Sequence, residues 1–327
     1  MITRRHFLGR TALLAATALA GRALADPTDA GNRMLFGYPY GAVGSKLASA
    51  LLPLLAAEGG PSYHLVNQEG RNTRLASETA AHATPDGSTL LQAISSSLTL
   101  VASIYKDVKF DPVHDFTPLA CVGESPYALA VGSIVPRSVT DLKGYLDWVE
   151  QNPDFRTIGV SVYGTVGHLA VRTLAVDTGT TLRAQPYQGT VPMMTDLRNQ
   201  QLAAGILAPG SGAGIGPQAD IRSIGVTSRQ RLFAWPDQPT LAEQGASNMD
   251  FINWFAWYTQ AAVPAAKLQA LHQAIARMQA SPAYDTTLKN LLLAPASLSP
   301  EQITARLRDE TARYKALVQS FNITRFD

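Results

Sequence analysis

Met34-Leu35-Phe36-Gly37-Tyr38 runs directly into Pro39-Tyr40-Gly41-Ala42-Val43-Gly44, and Leu47, Leu51, Leu52, Leu54 and Leu55 follow at roughly helical spacing. The short apolar run reads as a strand, the proline and glycines as a turn, and the leucines as the buried stripe of a helix. Strand, turn and helix in that order open an α/β unit. The glycines allow close backbone approach at the helix start, where free N–H groups and the helix dipole favour an anion.

Further along, Tyr63-His64-Leu65-Val66-Asn67 reads as a second strand, followed by a helix over residues 71–83. The turn Pro85-Asp86-Gly87 then leads into a third strand, Thr89-Leu90-Leu91-Gln92-Ala93. Ser95-Ser96-Ser97 opens the next helix, and three hydroxyls at the carboxyl end of a strand serve either as an anion cradle or as helix caps. After the apolar strand Tyr127-Ala128-Leu129-Ala130-Val131, residues 138–151 read as a helix capped by Ser138 with Asp141 in its first turn. A strand over 157–162 runs into Tyr163-Gly164-Thr165-Val166-Gly167-His168 and a helix over 169–177. The strand, polar turn and helix pattern thus recurs in a second lobe, and two facing sets of helix N-termini make a clamp for a small anion. His168 is either a donor to that anion or a packing and capping residue beside Leu169 and Val171. Residues 300–321, with Ile303, Leu307, Tyr314, Leu317 and Val318 at helical intervals, are expected to pack on the first lobe.

The chain begins with Thr3-Arg4-Arg5-His6-Phe7-Leu8-Gly9, a charge-free run over residues 11–21, and Ala23-Leu24-Ala25. A basic start, an apolar middle and small residues before a cut describe a secretory signal with cleavage after Ala25, and the paired arginines specify the twin-arginine route. A membrane anchor would need about 20 apolar residues. The 327-residue chain carries 27 basic and 25 acidic residues; removing Arg4, Arg5, Arg10 and Arg22 with the tag leaves 23 against 25. No basic field remains, which argues against a nucleic-acid partner. Cys121 is the only cysteine, so an intramolecular disulfide and a Cys-rich metal site are excluded, and a buried apolar role is expected for it.

Catalysis finds little support in the motifs. Gly210-Ser211-Gly212-Ala213-Gly214 lacks the spacing and context of a nucleophile elbow, and the histidines have no metal-binding spacing. Asp111, His114 and Asp115 fall within Phe110-Asp111-Pro112-Val113-His114-Asp115-Phe116, which reads as an ordered turn. No catalytic residue, metal or cofactor is expected.

Several motifs in fixed order resemble those of the extracytoplasmic solute receptors of tripartite tricarboxylate transporters, the Bug-type receptors. They are Pro85-Asp86-Gly87-Ser88-Thr89-Leu90-Leu91, Phe110 through Phe116 continuing to Thr117-Pro118-Leu119, and Pro186-Tyr187-Gln188-Gly189-Thr190. Gly225-Val226-Thr227-Ser228, Trp235-Pro236-Asp237-Gln238-Pro239-Thr240-Leu241, Trp254-Phe255-Ala256 and Val263-Pro264 continue the series. The resemblance extends from about Met34 to Lys315. It implies an α/β, two-lobed type II periplasmic-binding-protein fold with a ligand cleft between the lobes. It also implies a small organic anion, a carboxylate, as ligand, and a membrane permease as partner.

By position, the resemblance implies ligand contacts at Tyr38, Tyr40, Gly41, Ser95, Ser96, Ser97, Gly164, Thr165 and His168, and at Ala208 and Pro209. Tyr187 and Gly189 fall in the family's Pro-Tyr-Lys-Gly loop, where Tyr187 either covers the pocket or packs in the lobe core. This chain departs from the family at two places: an aspartate of the first turn is replaced near Ser45, beside Lys46, and a glycine-rich segment appears as Asn67-Gln68-Glu69-Gly70-Arg71-Asn72-Thr73. Lys46 or Arg71, turned inward, would favour a more anionic ligand; turned outward, each is a solvated charge. The expected organisation is a signal peptide over 1–25, lobe one over 26–123 and 246–327, and lobe two over 124–245. The expected protein is a periplasmic, monomeric solute receptor for transport. The alternatives are a receptor partnering a signalling protein and an exported enzyme.

Overall fold

The computed structural model describes residues 31–211, 215–216, 219–232 and 234–326; the export tag expected over residues 1–25 lies outside them. The first half of the chain alternates strand and helix: β1 (Arg33–Phe36), α1 (Val43–Ala57), β2 (His64–Asn67), α2 (Arg74–Ala81), β3 (Thr89–Ile94), α3 (Ser96–Thr99) and α4 (Val101–Ile104). A long strand β4 (Phe116–Pro126) leads to β5 (Ala128–Val131), α5 (Leu142–Gln151), β6 (Thr157–Val160), α6 (Val166–Thr178), β7 (Arg183–Pro186), α7 (Thr190–Arg198), β8 (Ala204–Leu207) and β9 (Arg222–Val226). The chain finishes with β10 (Ile252–Gln260) and the helices α8 (Ala265–Gln279), α9 (Pro282–Asn290) and α10 (Pro300–Ser320).

These strands form two five-stranded sheets, ordered β2-β1-β3-β10-β4 and β7-β6-β8-β5-β9. In the first, β1 pairs in parallel with β2 and β3, while β10 runs antiparallel to β3 and β4. The second repeats the scheme: β6 is parallel to β7 and β8, and β5 is antiparallel to β8 and β9. Each sheet therefore has parallel strands connected through helices and one returning antiparallel strand at its heart, the two-lobed α/β arrangement.

The period-2 alternation of a strand explains how one sheet supports two apolar layers. Along β10, Trp254, Ala256 and Tyr258 enter one core cluster, with Leu35, Leu91 and α10, whereas Phe255 and Trp257 enter another, with Met34, Phe36, α1 and α8. Its eight residues from Asn253 to Gln260 are all buried. Polar groups trapped in this core find partners: the Trp257 indole donates to Gln92 Oε1 at 3.0 Å, and the Gln92 amide donates to the Gly44 carbonyl at 2.7 Å. Cys121 lies in the same interior, where burial pushes its thiol up to about 12 and keeps it protonated and inert.

The chain passes between the sheets twice, and the two crossings are stitched together. Tyr127, between β4 and β5, exchanges hydrogen bonds with Thr227: its N–H donates to Thr227 Oγ1 at 2.9 Å, and Thr227 N–H donates to its carbonyl at 2.8 Å. Phe251 N–H in turn donates to the Thr227 carbonyl at 3.2 Å. Helix α10 begins with a capping box between Ser299 and Gln302 and lays Ile303, Leu307, Tyr314 and Val318 against the first sheet and α3. Arg306 pairs with Glu310 at 2.9 Å and with Glu124 of β4, and Glu310 accepts the Trp254 indole N–H at 2.9 Å. No helix among the described residues is long and apolar enough to cross a membrane.

Several boundaries differ from the sequence expectation. The helix expected over residues 71–83 starts only at Arg74, because Arg71, Asn72 and Thr73 adopt left-handed φ of 48°, 53° and 75°. The helix expected to be capped by Ser138 begins at Leu142; Asp141 is its N-cap, accepting from Gly144 N–H at 2.7 Å. The strand expected to reach residue 162 ends at Val160, and α6 begins three residues early, at Val166. The crossing strands β4 and β10 carry no alternating pattern in the sequence, because both faces of each are buried.

Candidate functional site

The parallel strands β1, β2, β3 and β6 release their chains toward one cleft between the two sheets, the usual place for a ligand in an open α/β sheet. Tyr38, Asn72, Thr73, Arg74, Ser96, Ser97 and Tyr105 line it from the sheet-one side, and Val162, Tyr163, Gly164 and Thr165 from the sheet-two side. An adjoining pocket shares Tyr38 and adds Tyr40, Gly41, Ser161 and Gly189.

The sheet-one wall is built on the left-handed turn at residues 71–73. Gly37 makes this turn possible: a Cβ there would lie 2.4 Å from the Thr73 carbonyl oxygen. The turn aims two basic residues in opposite directions. Arg71 faces out, with Nε 3.0 Å from Glu78 Oε1 and Nη2 3.1 Å from Asp107 Oδ2. Arg74 is buried, its guanidinium 3.7 Å from the Tyr105 ring centroid, and it donates from Nε to the Arg71 carbonyl at 2.8 Å and from Nη1 to the Asp107 carbonyl at 3.1 Å. Lys46 is exposed on α1.

Asn72 joins the two walls. Its amide donates to the Tyr105 hydroxyl and, at 3.0 Å, to the carbonyl of Tyr163 across the cleft. Gly164 completes the sheet-two wall with φ of 69°, and a Cβ there would stand 2.7 Å from Ile104 Cγ2. The two sides are therefore in direct contact at this edge.

Chemically, the cleft sets phenol and guanidinium donors beside hydroxyl lone pairs. Burial pushes the Tyr38 phenol up to about 12, against the opposing effect of hydrogen bonds with Ser96 and Thr73. Burial also raises Tyr105, opposed by Asn72 and Arg74, and raises Tyr163 with Tyr105 adding to it. All three keep their protons at neutral pH. Ser97 and Thr165 turn their hydroxyl protons to the carbonyls of Ile94 at 2.7 Å and Val162 at 2.9 Å, which leaves their oxygen lone pairs free. Thr165 also precedes the first turn of α6, whose N–H groups have no partner within the helix.

Of the residues expected to contact a ligand, Tyr38, Ser96, Ser97, Gly164 and Thr165 meet in the cleft, and Tyr40, Gly41 and Gly189 meet Tyr38 in the adjoining pocket. Ser95, His168, Tyr187, Ala208 and Pro209 line neither. Ser95 is buried beneath, its Oγ accepting from Trp254 N–H at 3.3 Å. His168 lies in the first turn of α6, its ring 4.8 Å from that of Tyr163 and its buried Nδ1 without a hydrogen-bond partner among the described residues. Burial, with Arg172 assisting, lowers its pKa to about 4, so it backs the wall as a neutral ring. The Tyr187 hydroxyl donates to Asp196 at 2.9 Å, away from the cleft, and Ala208 packs against the core beside Val43. Asn72, Arg74 and Tyr105 carry no mark in their residue types, because polar residues around a helix start ordinarily read as surface.

Among the described residues no group of three or more His, Cys, Asp or Glu side chains is arranged to hold a metal ion. Comparison with known proteins gives a consistent result. The family described as "Tripartite tricarboxylate transporter family receptor" matches residues 64–323. A UPF0065 protein of Bordetella pertussis is 23% identical over 317 residues, covering 97% of each chain. Among solved structures, R. palustris Rpa4515 with adipate has a TM-score of 0.83 at 24% identity, covering 90% of this chain and 98% of its own. The periplasmic binding protein BugD has a TM-score of 0.79 at 21% identity, covering 90% of this chain and 98% of its own.

Proposed function

The chain belongs to the tripartite tricarboxylate transporter family of receptors, and from that membership we propose that it captures a small carboxylate between its two lobes outside the cytoplasm. The observation that carries this reading is the cleft itself. Phenol and guanidinium donors gather at strand ends beside hydroxyl lone pairs, and the walls already touch through Asn72 and Tyr163. Such a surface favours an acceptor-rich ligand. The adipate named with a fold relative is a molecule of this kind. A ligand bridging both walls stabilises the closed arrangement in proportion to its added affinity for that state.

In this reading, lobe one is the first sheet with its helices and lobe two the second. Sheet membership supports a first border at Tyr127, a few residues beyond the expected position 123, and a second between Val226 and Ile252, an interval that contains the expected position 246. The contact residues are Tyr38, Asn72, Arg74, Ser96, Ser97, Tyr105, Gly164 and Thr165, with Tyr40, Gly41 and Gly189 at the entrance. The protein acts as a monomeric periplasmic receptor, exported by the twin-arginine route and delivering its ligand to a membrane permease. It binds its ligand without transforming it.

Thermal unfolding against mono-, di- and tricarboxylates, aromatic acids and amides tests the reading. A ligand that binds only the folded state raises the midpoint, by about 2.7 kcal/mol of added stability at 100 times its Kd. A shift confined to carboxylates is the expected result. A shift confined to uncharged amides would replace the ligand class.

A further inference from the structure

We infer that Arg74 is the specificity-determining residue of the cleft and selects a carboxylate ligand that bears no ammonium group, an inference that rests on the carboxylate reading above. Among the described residues lining the cleft and its adjoining pocket, Arg74 is the only charged one. It is 5% exposed and makes no ion pair among the described residues. The two carboxylates near it, Glu78 and Asp107, are engaged by Arg71 on the outer side of the turn. The charge of Arg74 is thus uncompensated by a direct partner where it lines the cleft.

Its geometry is fixed before any ligand arrives. Two backbone carbonyls hold Nε and Nη1 at 2.8 and 3.1 Å, and the Tyr105 ring covers one face of the guanidinium at 3.7 Å. These contacts leave Nη2 without a hydrogen bond among the described residues. A guanidinium stays charged even where burial and a neighbouring arginine lower its pKa, as burial first and Arg71 second do here. Tyr105 contributes beside it: its hydroxyl accepts from Asn72 and so retains its own proton for donation. A carboxylate oxygen can receive both Nη2–H and the phenol proton. Charge-assisted bonds of this kind are the stronger ones, and the rigid planar donor loses little freedom in making them.

The same arrangement disfavours an amino acid. An ammonium group in this cleft would face a buried like charge and no lining carboxylate, with only hydroxyl lone pairs to offset its desolvation. The nearby α1 start adds no acidic group: Ser45 is buried, and its hydroxyl donates to the Pro39 carbonyl at 3.1 Å.

The test is calorimetric titration of the purified exported protein with succinate, glutarate and adipate, and with the matching α-amino acids aspartate, glutamate and 2-aminoadipate. We expect at least one diacid to bind, its amino counterpart to bind at least tenfold more weakly, and R74Q to lower diacid affinity tenfold or more while narrowing that ratio. R74K, which keeps the charge but not the stacked plane, should retain the ratio at reduced affinity. If R74Q proves folded by circular dichroism and keeps both affinity and ratio, or if the amino acids bind as tightly as the diacids, the inference is overturned and the carboxylate reading stands. If R74Q does not fold, the wild-type ratio and R74K decide the matter, a lost ratio in R74K counting against the role of charge. If no acid of either series and no other carboxylate of the unfolding panel binds, the carboxylate reading falls and takes the inference with it.

Discussion

On the sheet-one wall of the cleft the left-handed turn is made by Arg71, Asn72 and Thr73, at φ of 48°, 53° and 75°, whereas on the sheet-two wall one glycine, Gly164 at 69°, takes that conformation. The first turn carries strain on the order of 1 to 3 kcal/mol for each such residue, with the β-branched Thr73 the least suited to it. External ties hold it in place: Arg71 to Glu78 and Asp107, and Arg74 to two carbonyls. The second turn needs no such ties, because glycine takes this φ without comparable strain. Selective side chains therefore gather on the wall that is rigidly braced, and the opposing wall offers backbone, glycine and a short hydroxyl that can approach closely.

Gly164→Val should disturb this contrast most. A side chain at this φ costs about 1 to 2 kcal/mol, and a Cβ only 2.7 Å from Ile104 adds a clash of similar size. Ligand affinity should fall by about a hundredfold or more, since each 1.4 kcal/mol is about tenfold. Titration calorimetry, with small-angle scattering to detect a more open shape, checks it; wild-type affinity would show that the walls need not meet at Gly164.

Acid should weaken the sheet-two wall next. His168 is neutral when folded, with a pKa of about 4, and its ordinary value is 6.5. As pH falls below 6.5, the unfolded chain gains the proton first, so stability declines down to about pH 4 and levels off below it. The loss amounts to up to about 3 kcal/mol. Replacing His168 with Gln should flatten this part of the stability curve measured by urea unfolding at stepped pH. An unchanged slope between pH 6.5 and 4 would assign the acid sensitivity elsewhere.

A third substitution, with the mildest consequence, probes the braced side. Asn72→Gly keeps the left-handed backbone but removes the amide that reaches Tyr163. A loss of about 1 kcal/mol, or roughly fivefold in affinity, is expected from one hydrogen bond. Melting temperature should change little. If affinity is unaffected while the melting point drops, the Asn72 contact supports the fold without contributing to closure.

Much of this architecture is legible along the chain. The β1 turn and the turn after β6 announce themselves because an exposed turn must be written in residues that tolerate it, and the helices behind them show their apolar stripes. The strands β4 and β10 are opaque because burial on both faces erases alternation, leaving Trp254 through Tyr258 as an apolar run that pattern alone does not resolve. The candidate site divides in the same way. Tyr38, Ser96, Ser97, Gly164 and Thr165 follow strands directly and lie in the cleft, while Tyr187, in a recognisable loop, turns its hydroxyl to Asp196 instead.

Residue order alone was enough for the α/β class, for the recurrence of strand, polar turn and helix in two halves, and for the family resemblance, because local propensity and hydrophobic period act over a few residues at a time. Which of two arginines three positions apart faces the cleft emerges only in the folded molecule. The distinction arises from the left-handed run at residues 71–73, which no single-residue preference predicts and which persists because Gly37, Asp107 and Tyr105, distant in the chain, converge on it together with Glu78 of the following helix. A buried charge and the partners that hold it are joined by packing, and packing is a property of the folded chain.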